Sequence, residues 1–212
     1  MRHIMVVNAK GGSGKTTMAT NLASYFVTQN KKVTMMDYDP QGSSLAWLES
    51  RSQAKPPIRG IAAYKKNPER PKRNSDIVIM DAPAAVHGAE LTRLVRKAET
   101  ILIPVLPSPI DMRAAKDFIS EIKSCAPVSQ KKAKLALVAN RSREITNIFW
   151  ELEDFLLRQR IPYLTMLRDS QNYVRAAERG LGIFEMGPAA TAVDREQWQP
   201  IIKWVKSKRS QP

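Results

Sequence analysis

The chain has 212 residues, which suits one α/β domain with a substantial core, and its apolar runs are too short to span a membrane. Its 34 lysines and arginines outnumber 20 acidic residues, and the resulting net charge of +14 favours polyanionic partners. One cysteine, Cys125, and two histidines exclude an intramolecular disulfide and a four-cysteine metal site and argue against a zinc site. A first strand that begins at His3 leaves no room for a secretion signal, so we expect a cytoplasmic protein.

The first elements predict a phosphate-binding unit. The apolar run 3–7 predicts a buried strand, and residues 16–29 predict a helix with Ala19, Leu22, Ala23 and Phe26 on one face. Between them, residues 10–16 read Lys-Gly-Gly-Ser-Gly-Lys-Thr, where the glycines let backbone N–H groups surround a polyphosphate and the helix dipole faces it. We predict that Lys15 contacts the outer phosphates and that the Thr16 hydroxyl ligates Mg²⁺. The predicted nucleotide-binding residues are Gly11, Gly12, Ser13, Gly14, Lys15, Thr16 and Thr17. The alternative is a glycine-rich turn without a ligand.

Two aspartates follow the next predicted strand, which covers residues 33–37 and precedes a short helix at 43–50. Asp37 ends the strand, and Asp39 lies just before Pro40. Because a residue before proline is biased towards an extended backbone, the Asp39 carboxylate is expected to point outward from the sheet edge. The alternative is an Asx turn that carries no chemistry.

Residues 51–75 form the least regular segment. Four prolines interrupt it, and residues 51–73 contain eight basic residues against Glu69 alone. The composition predicts a surface excursion with one short strand around 58–64. Whether this basic surface faces DNA or a partner protein is left open by the sequence.

The remaining elements alternate in type. A buried strand at 76–81 ends in Asp81, which is expected beside the phosphate-loop strand, where a carboxylate holds the Mg²⁺ hydration shell; a strand-end cap is the alternative. Asp111 is a plausible helix cap, and Cys125 is expected to be a small buried side chain near a helix end. The other predicted elements are strands at 100–105 and 135–139 and helices at 111–124, 145–158, 169–179 and 193–206.

This order predicts an α/β fold of the P-loop NTPase type, with a mostly parallel twisted sheet and helices on both faces. We expect one domain over residues 1–212, with the basic excursion 51–75 and a basic C-terminal tail at 203–212.

The loop with its leading Lys10 resembles the deviant Walker A loop of the ParA/MinD ATPases, and the likeness extends over nearly the whole chain, closest to the short ParA-like partition proteins. Lys10 precedes the turn of the loop and is poorly placed for its own γ-phosphate. The resemblance implies that Lys10 reaches the nucleotide of a second subunit, in an ATP-bound homodimer; a surface lysine is the alternative. It further implies that Asp39 orients the attacking water and that Asp37 supports the metal region. Asn140 would read adenine and Pro107 would pack near the base, although a plain loop suits both residues equally well.

The favoured function is an ATPase with a slow basal rate that uses ATP and Mg²⁺, binds DNA without reading sequence and is nucleoid-associated. A ParB-like or adaptor partner would stimulate hydrolysis, so that a plasmid, a chromosome locus or a protein cargo such as a carboxysome is positioned. The candidate DNA contacts are Arg141, Arg143, Arg168, Arg175, Lys203, Lys206, Lys208 and Arg209, each of which is otherwise a solvated charge.

Two other classes of protein were weighed. A MinD-like ATPase on the membrane surface would use the apolar helical face of Trp198, Ile201, Ile202 and Val205, which the closing core helix of the fold explains more simply. A metabolic P-loop enzyme would need a second group of charged residues or, in its iron–sulfur form, further cysteines. The sequence therefore favours DNA over the membrane as the surface on which the protein acts.

Overall fold

A computed structural model describes residues 1–143 and 146–212. Seven strands form one sheet; they are β1 (Arg2–Val6), β2 (Val33–Asp37), β3 (Arg59–Ala62), β4 (Ile77–Asp81), β5 (Thr100–Val105), β6 (Lys134–Ser142) and β7 (Tyr163–Arg168). Their order is β3-β2-β4-β1-β5-β6-β7, and every pairing is parallel. The predicted parallel sheet is therefore confirmed.

Helices cover both faces of this sheet. They are α1 (Lys15–Thr28), α2 (Ser43–Glu49), α3 (Gly88–Val95), α4 (Pro109–Ser124), α5 (Ala126–Ser129), α6 (Asn147–Leu157), α7 (Gln171–Ala177) and α8 (Ala192–Lys206). One core cluster packs α1 and α8 on one face, with Phe26 and Trp198 as large buried side chains. The other packs α3, α4 and α6 on the opposite face, around Phe118. Short apolar strands buried on both sides require this double cover.

The parallel arrangement brings the candidate site residues to one edge. β1 lies between β4 and β5, and β4 lies between β1 and β2. Val6 and Asp37 are both in register with Asp81. The phosphate loop after β1 and the carboxylates that end β2 and β4 therefore meet at the carboxyl edge of the sheet, where α/β proteins place their ligands.

Three elements, α3, α5 and β7, were not predicted from the sequence, and α5 is a single turn of four residues. α3 has only eight residues, of which Leu91, Leu94 and Val95 are buried, so its apolar pattern is too short to recognise. β7 is an edge strand with one fully buried residue, Leu167, so it lacks the continuous apolar run that marks the central strands.

Helix boundaries also required corrections. The cap of α4 is Ser108, whose hydroxyl accepts a hydrogen bond from the Asp111 backbone N–H at 3.3 Å, so the prediction of Asp111 as the cap was wrong. Pro109 then occupies the first helical turn, where its missing N–H has no cost. The predicted start of α6, Ile145, lies outside the described residues.

Candidate functional site

The phosphate loop connects β1 to α1 with the backbone that anion binding requires. Gly12 and Gly14 adopt φ angles of 76° and 88°, in the left-handed region that favours glycine. Gly14 is also the N-cap of α1 and offers no side chain, so no side-chain cap occupies the first N–H groups of the helix. The loop therefore presents backbone donors and the positive end of the helix dipole to one point.

Lys15 lies inside this loop. Only 7% of it is exposed, and its Nζ donates a hydrogen bond to the Lys10 carbonyl at 3.0 Å. Burial lowers the pKa of Lys15, while the Asp81 and Asp39 carboxylates act in the opposite direction. The side chain thus places a weakly solvated cation in the phosphate loop.

Lys10 uses its main chain and its side chain differently. Its backbone N–H donates to Asn8 Oδ1 at 3.0 Å and its carbonyl accepts from Lys15, so both peptide groups are fixed. The residue itself is exposed and lies outside the walls of the cavity beside the loop. Its ammonium group is accordingly free to meet a second molecule.

Asp81 is a buried carboxylate without a hydrogen bond. It is 1% exposed, and within residues 1–143 and 146–212 neither of its oxygens has a donor of acceptable geometry. Burial raises the pKa of Asp81 to about 7; the nearby Thr16 hydroxyl and Lys15 oppose this rise, and Asp37 and Asp39 reinforce it. An orphaned carboxylate beside a threonine hydroxyl fits a hydrated Mg²⁺ ion.

The described part of the chain contains no cluster of three or more His, Cys, Asp or Glu side chains that could hold a metal ion by itself. Mg²⁺ commonly takes one or two protein groups and completes its shell with water and phosphate oxygens. Thr16 and Asp81 match that pattern, so a metal ion here would depend on bound nucleotide.

Asp37 accepts hydrogen bonds from the segment that follows its own strand. Its Oδ2 accepts hydrogen bonds from the Ser44 hydroxyl at 2.8 Å and from the Ser44 N–H at 3.0 Å, and its Oδ1 accepts from the Asp39 N–H at 3.0 Å. The carboxylate is fully buried and therefore acts as a cap for α2 and the preceding turn. These contacts leave Asp37 as a support for the loop, and its place near the metal remains a prediction.

Asp39 combines both alternatives drawn from the sequence. Its Oδ1 accepts from the Gln41 N–H at 3.0 Å, which is an Asx turn. The residue also lines the cavity beside the phosphate loop, half-buried. The turn therefore holds the carboxylate at the cavity wall.

Asn140 lines the cavity beside the phosphate loop, whereas Pro107 does not. Asn140 Nδ2 donates to the Ser13 carbonyl at 2.8 Å, and a Cβ on Gly14 would lie 2.2 Å from the same nitrogen. The amide thus supports the phosphate loop and excludes any side chain at Gly14. Pro107 does not line the cavity, so its predicted contact with the base has no support from the structure.

The cavity itself measures about 710 Å³ and extends from the glycine loop to residues that the sequence analysis did not assign to a nucleotide site. The far wall contains Leu167, Asp169, Tyr173 and Trp198. Trp198 Nε1 donates to the Tyr173 hydroxyl at 2.9 Å, and burial raises the pKa of Tyr173. Leu167 lies in β7, Asp169 and Tyr173 follow this strand, and Trp198 lies on α8, which packs against it, so recognising β7 would have pointed to this wall.

The eight candidate DNA contacts lie at two different edges of the sheet. Arg141, Arg143, Arg168 and Arg175 follow or end β6 and β7 at the carboxyl edge, beside the cavity. Lys203, Lys206, Lys208 and Arg209 belong to the C-terminal segment, where the Val205 carbonyl accepts from Arg2 and the Ser210 carbonyl accepts from Thr100. Arg2 and Thr100 begin β1 and β5, so this second group lies at the amino edge.

Two of the arginines at the carboxyl edge already form ion pairs. Arg168 Nε lies 2.7 Å from Oδ1 of the buried Asp194, and Arg141 Nε lies 3.3 Å from Asp169 Oδ1. The Asp194 pair holds β7 to α8 and weakens the case for Arg168 as a DNA contact. Arg143 and Arg175 are exposed.

Comparison with known proteins agrees with this geometry. Residues 4–183 match the family model described as the CobQ/CobB/MinD/ParA nucleotide binding domain. The chain is 32% identical over 190 residues to the maintenance of carboxysome distribution protein A of Halothiobacillus neapolitanus, with 87% of each chain covered. It is also 29% identical over 137 residues to the chromosome-partitioning ATPase Soj of Thermus thermophilus, covering 50% of this chain and 55% of Soj.

A solved structure shows the same fold. The ATP complex of a Cyanothece McdA variant superposes with a TM-score of 0.71 at 16% identity, covering 95% of this chain and 96% of that one. The match of the family model over most of the sequence, together with this fold and the glycine loop, establishes the relationship. The chain belongs to the CobQ/CobB/MinD/ParA family of nucleotide-binding domains and has the P-loop ATPase fold of that family.

Proposed function

We propose that this protein, as one domain over residues 1–212, hydrolyses ATP with Mg²⁺ and dimerises with ATP bound. The dimer binds DNA without sequence preference and positions a cargo in the cytoplasm. The observation that supports the proposal most directly is that the two lysines of one loop differ in burial and position. Lys15 is buried and fixed within the loop, whereas Lys10 is exposed and lies outside the cavity.

The residues would act as follows. The N–H groups of Gly11 to Thr17 and the Lys15 ammonium hold the phosphates. Thr16 and Asp81 hold the Mg²⁺ ion, which when bound neutralises charge that develops on the phosphate oxygens. Asp39 orients the attacking water, and Lys10 of a second subunit stabilises the transition-state charge. An aspartate is a weak base, so basal hydrolysis is slow until a partner protein intervenes.

The cargo is suggested by the relatives. The Halothiobacillus relative is named for carboxysome distribution and the Thermus relative for chromosome partitioning. Both names describe the distribution or partitioning of a large body, and that of the Thermus relative names an ATPase. We propose the same class of function here, with a ParB-like or adaptor protein that selects the cargo and stimulates hydrolysis.

The membrane-surface alternative loses its main support in the structure. Trp198 and Ile201 of α8 are fully buried, Ile202 and Val205 are nearly so, and all four pack in the core beside α1. No helix in the described residues is long and apolar enough to cross a bilayer. An apolar face that is already used by the core is not available to lipid.

ATP-dependent DNA binding is the test of the proposal. We expect a duplex of arbitrary sequence to bind the ATP-loaded protein with steep salt dependence, and anionic liposomes not to bind. Equal DNA affinity with ATP and ADP would contradict the proposal, and ATP-dependent liposome binding would favour the membrane alternative.

Two matched double variants locate the DNA surface. Arg143→Gln with Arg175→Gln removes two charges from the carboxyl edge, and Lys206→Gln with Lys208→Gln removes two from the amino edge. Because the nucleotide site is at the carboxyl edge, we expect the first pair to lose ATP-dependent affinity by about tenfold and to flatten the salt slope. A loss confined to the second pair would assign DNA binding to the amino edge.

A further inference from the structure

A second cavity, of about 650 Å³, lies on the sheet face opposite α1. The connection from β3 to β4 contains no helix among its residues 63–76, and the segment 66–71, with Pro68 and Pro71, covers this part of the sheet. A proline-interrupted loop packs less closely than a helix would. A concave space is therefore left beside β2 and β4.

The chemistry of this cavity is divided between its floor and its rim. Met36 and the Tyr38 ring, which are 7% and 9% exposed, form a small apolar floor with the fully buried Met80 behind it, and Lys66, Arg70 and Lys97 supply cations at the rim. The Lys97 ammonium lies 4.9 Å from the centre of the Tyr38 ring. Burial, followed by the effect of Arg93, lowers the pKa of Lys97.

The rim has an excess of positive charge. Glu69 is the one carboxylate that lines the cavity within the described residues, and it pairs with Arg59 on β3. Within the described parts of the chain, Lys66, Arg70 and Lys97 form no ion pair. The cavity thus offers three unneutralised cations around an apolar floor, which complements a ligand with carboxylates flanking an apolar side chain.

The shape of the cavity favours a peptide over DNA. A duplex is a rod about as wide as a small domain and meets proteins through its phosphates, so it does not reach apolar residues at the bottom of a concave pocket. Methionines at such a floor accommodate varied apolar side chains. We propose that this cavity binds an acidic segment of the partner protein, an inference that rests on the proposed function because it assigns a site to the stimulating partner.

The cavity is connected to the nucleotide site through two strands. Tyr38 immediately precedes Asp39, and Met80 immediately precedes Asp81. Because successive side chains of β4 point to opposite faces, Met80 lies on the cavity side and the Asp81 carboxylate on the other, whereas Tyr38 leads from the end of β2 into the turn that holds Asp39. The Tyr38 N–H also donates to the Asp81 carbonyl at 2.9 Å. A segment seated against Tyr38 would therefore shift Asp39, which follows it, and Asp81, whose carbonyl accepts from its N–H, and with them the rate of hydrolysis.

The test uses a fluorescent twelve-residue peptide that repeats Glu-Glu-Leu, with a Lys-Lys-Leu peptide as its control. The cavity variant is Lys66→Glu with Arg70→Glu, and the matched variant, Lys116→Glu with Lys132→Glu, has the same change in charge at exposed positions elsewhere. Thermal melts show whether both variants fold. We expect the unmodified protein to bind the acidic peptide, the cavity variant to lose at least about tenfold in affinity, and the matched variant to lose less than about twofold. ATP turnover is then measured with saturating acidic peptide, and we expect it to change in the unmodified protein and the matched variant but not in the cavity variant.

Several results would overturn this assignment. They are no binding of the acidic peptide up to about 1 mM, an equal loss in both variants, or a loss of duplex DNA affinity in the cavity variant in place of peptide affinity. Binding that leaves turnover unchanged would overturn the role of a stimulating partner. The proposed function fails separately, through the absence of ATP-dependent DNA binding by the unmodified protein, so the two failures are distinguishable.

Discussion

At the scale of single residues, Asp81 is the most informative group in the protein. The chain buries its carboxylate completely and gives it no hydrogen-bond donor within the described residues. Such a group costs folding free energy whenever it is ionised. The arrangement is understandable if a cation compensates the charge, which links Asp81 to Thr16 and to the bound nucleotide.

The pH dependence of stability follows from this burial. The pKa of Asp81 is raised to about 7, above its unfolded value, so between about pH 4 and pH 7 the folded protein binds the additional proton. The protonated Asp81 side chain therefore does not destabilise the folded protein at low pH, and the free energy of unfolding falls as the pH rises through this window. The side chain of Asp81→Asn is neutral at every pH. We therefore expect the free energy of unfolding of Asp81→Asn, relative to that of the parent protein, to rise by about 3 kcal/mol from about pH 5 to pH 8. Denaturant unfolding in EDTA without nucleotide measures this difference. A difference that is independent of pH would contradict the assignment.

Asp39 has two possible roles, in the turn and in catalysis, which substitutions can distinguish. We expect Asp39→Ala to bind ATP normally, to lose hydrolysis by at least about tenfold and to accumulate as the ATP-bound dimer on DNA, measured by phosphate release and DNA retention. Asp39→Asn is the matched control, because its side-chain oxygen can still accept from the Gln41 N–H. If Asn restores full turnover, the residue acts only through the turn.

At the scale of elements, the basic excursion is held in place by one of its own arginines. The Arg51 side chain is 5% exposed, its Nη1 donates to Glu185 Oε2 at 2.8 Å and to the Gly180 carbonyl at 2.9 Å, and Glu185 is equally buried. Arg51 is thus a structural anchor between α2 and the segment after α7. It does not belong to the solvated basic surface that the sequence suggested for this segment.

Removal of this anchor should destabilise the protein. We expect Arg51→Ala to lose about 3–5 kcal/mol of unfolding free energy, because Glu185 would remain buried without its ion-pair partner, and thermal unfolding should show a fall in Tm of roughly 10 °C. Lys65→Ala, at an exposed position of the same excursion, should change stability little. Burial raises the pKa of Glu185, but the hydrogen bond from Arg51 lowers it below its ordinary value. The loss of stability in Arg51→Ala relative to the parent protein should therefore become smaller as the pH falls and Glu185 becomes protonated. An equal loss of stability at about pH 5 and pH 8 would contradict this mechanism.

At the scale of the whole molecule, the carboxyl edge collects the phosphate loop, Asp39, Asp81, and the exposed Arg143 and Arg175. An ATP-dependent dimer formed at this edge would bring two sets of cations together, which makes DNA binding cooperative. The amino edge, with Lys206 and Lys208, is remote from the nucleotide and has no such coupling to it. This arrangement is the reason to expect that ATP controls the first group.

Lys10 tests the dimer directly. We expect Lys10→Ala to bind ATP within about twofold of the parent protein, since its main-chain contacts with Asn8 and Lys15 persist, and to remain a monomer with a non-hydrolysable ATP analogue. Sedimentation analysis measures the dimer, with exposed Lys31→Ala as control. Lys15→Ala should instead lose nucleotide binding by more than about a hundredfold. Normal dimerisation of Lys10→Ala would exclude the proposed contact between subunits.

The sequence by itself determined the elements whose signals are local. The strands at 33–37 and 100–105, the glycine loop and the closing α8 could be predicted because continuous apolar runs, glycines and a helical apolar face each depend on neighbouring residues. The same logic identified Lys15, Asp39 and Asp81 as site candidates. α3 and β7 were not predicted, because α3 is short and β7 is a half-buried edge strand.

Only the tertiary structure decided which polar groups are already satisfied. Asp37 and Asp81 both end buried strands, yet Asp37 caps α2 while Asp81 has no donor in the described chain, and this difference depends on Ser44, seven residues beyond Asp37. Likewise, Arg51 and Arg168 read as surface charges until Glu185 and Asp194, more than twenty residues away in each case, are brought beside them. Burial and pairing are properties of the packed chain, because the desolvation of a charge and its compensation depend on residues that only folding brings together.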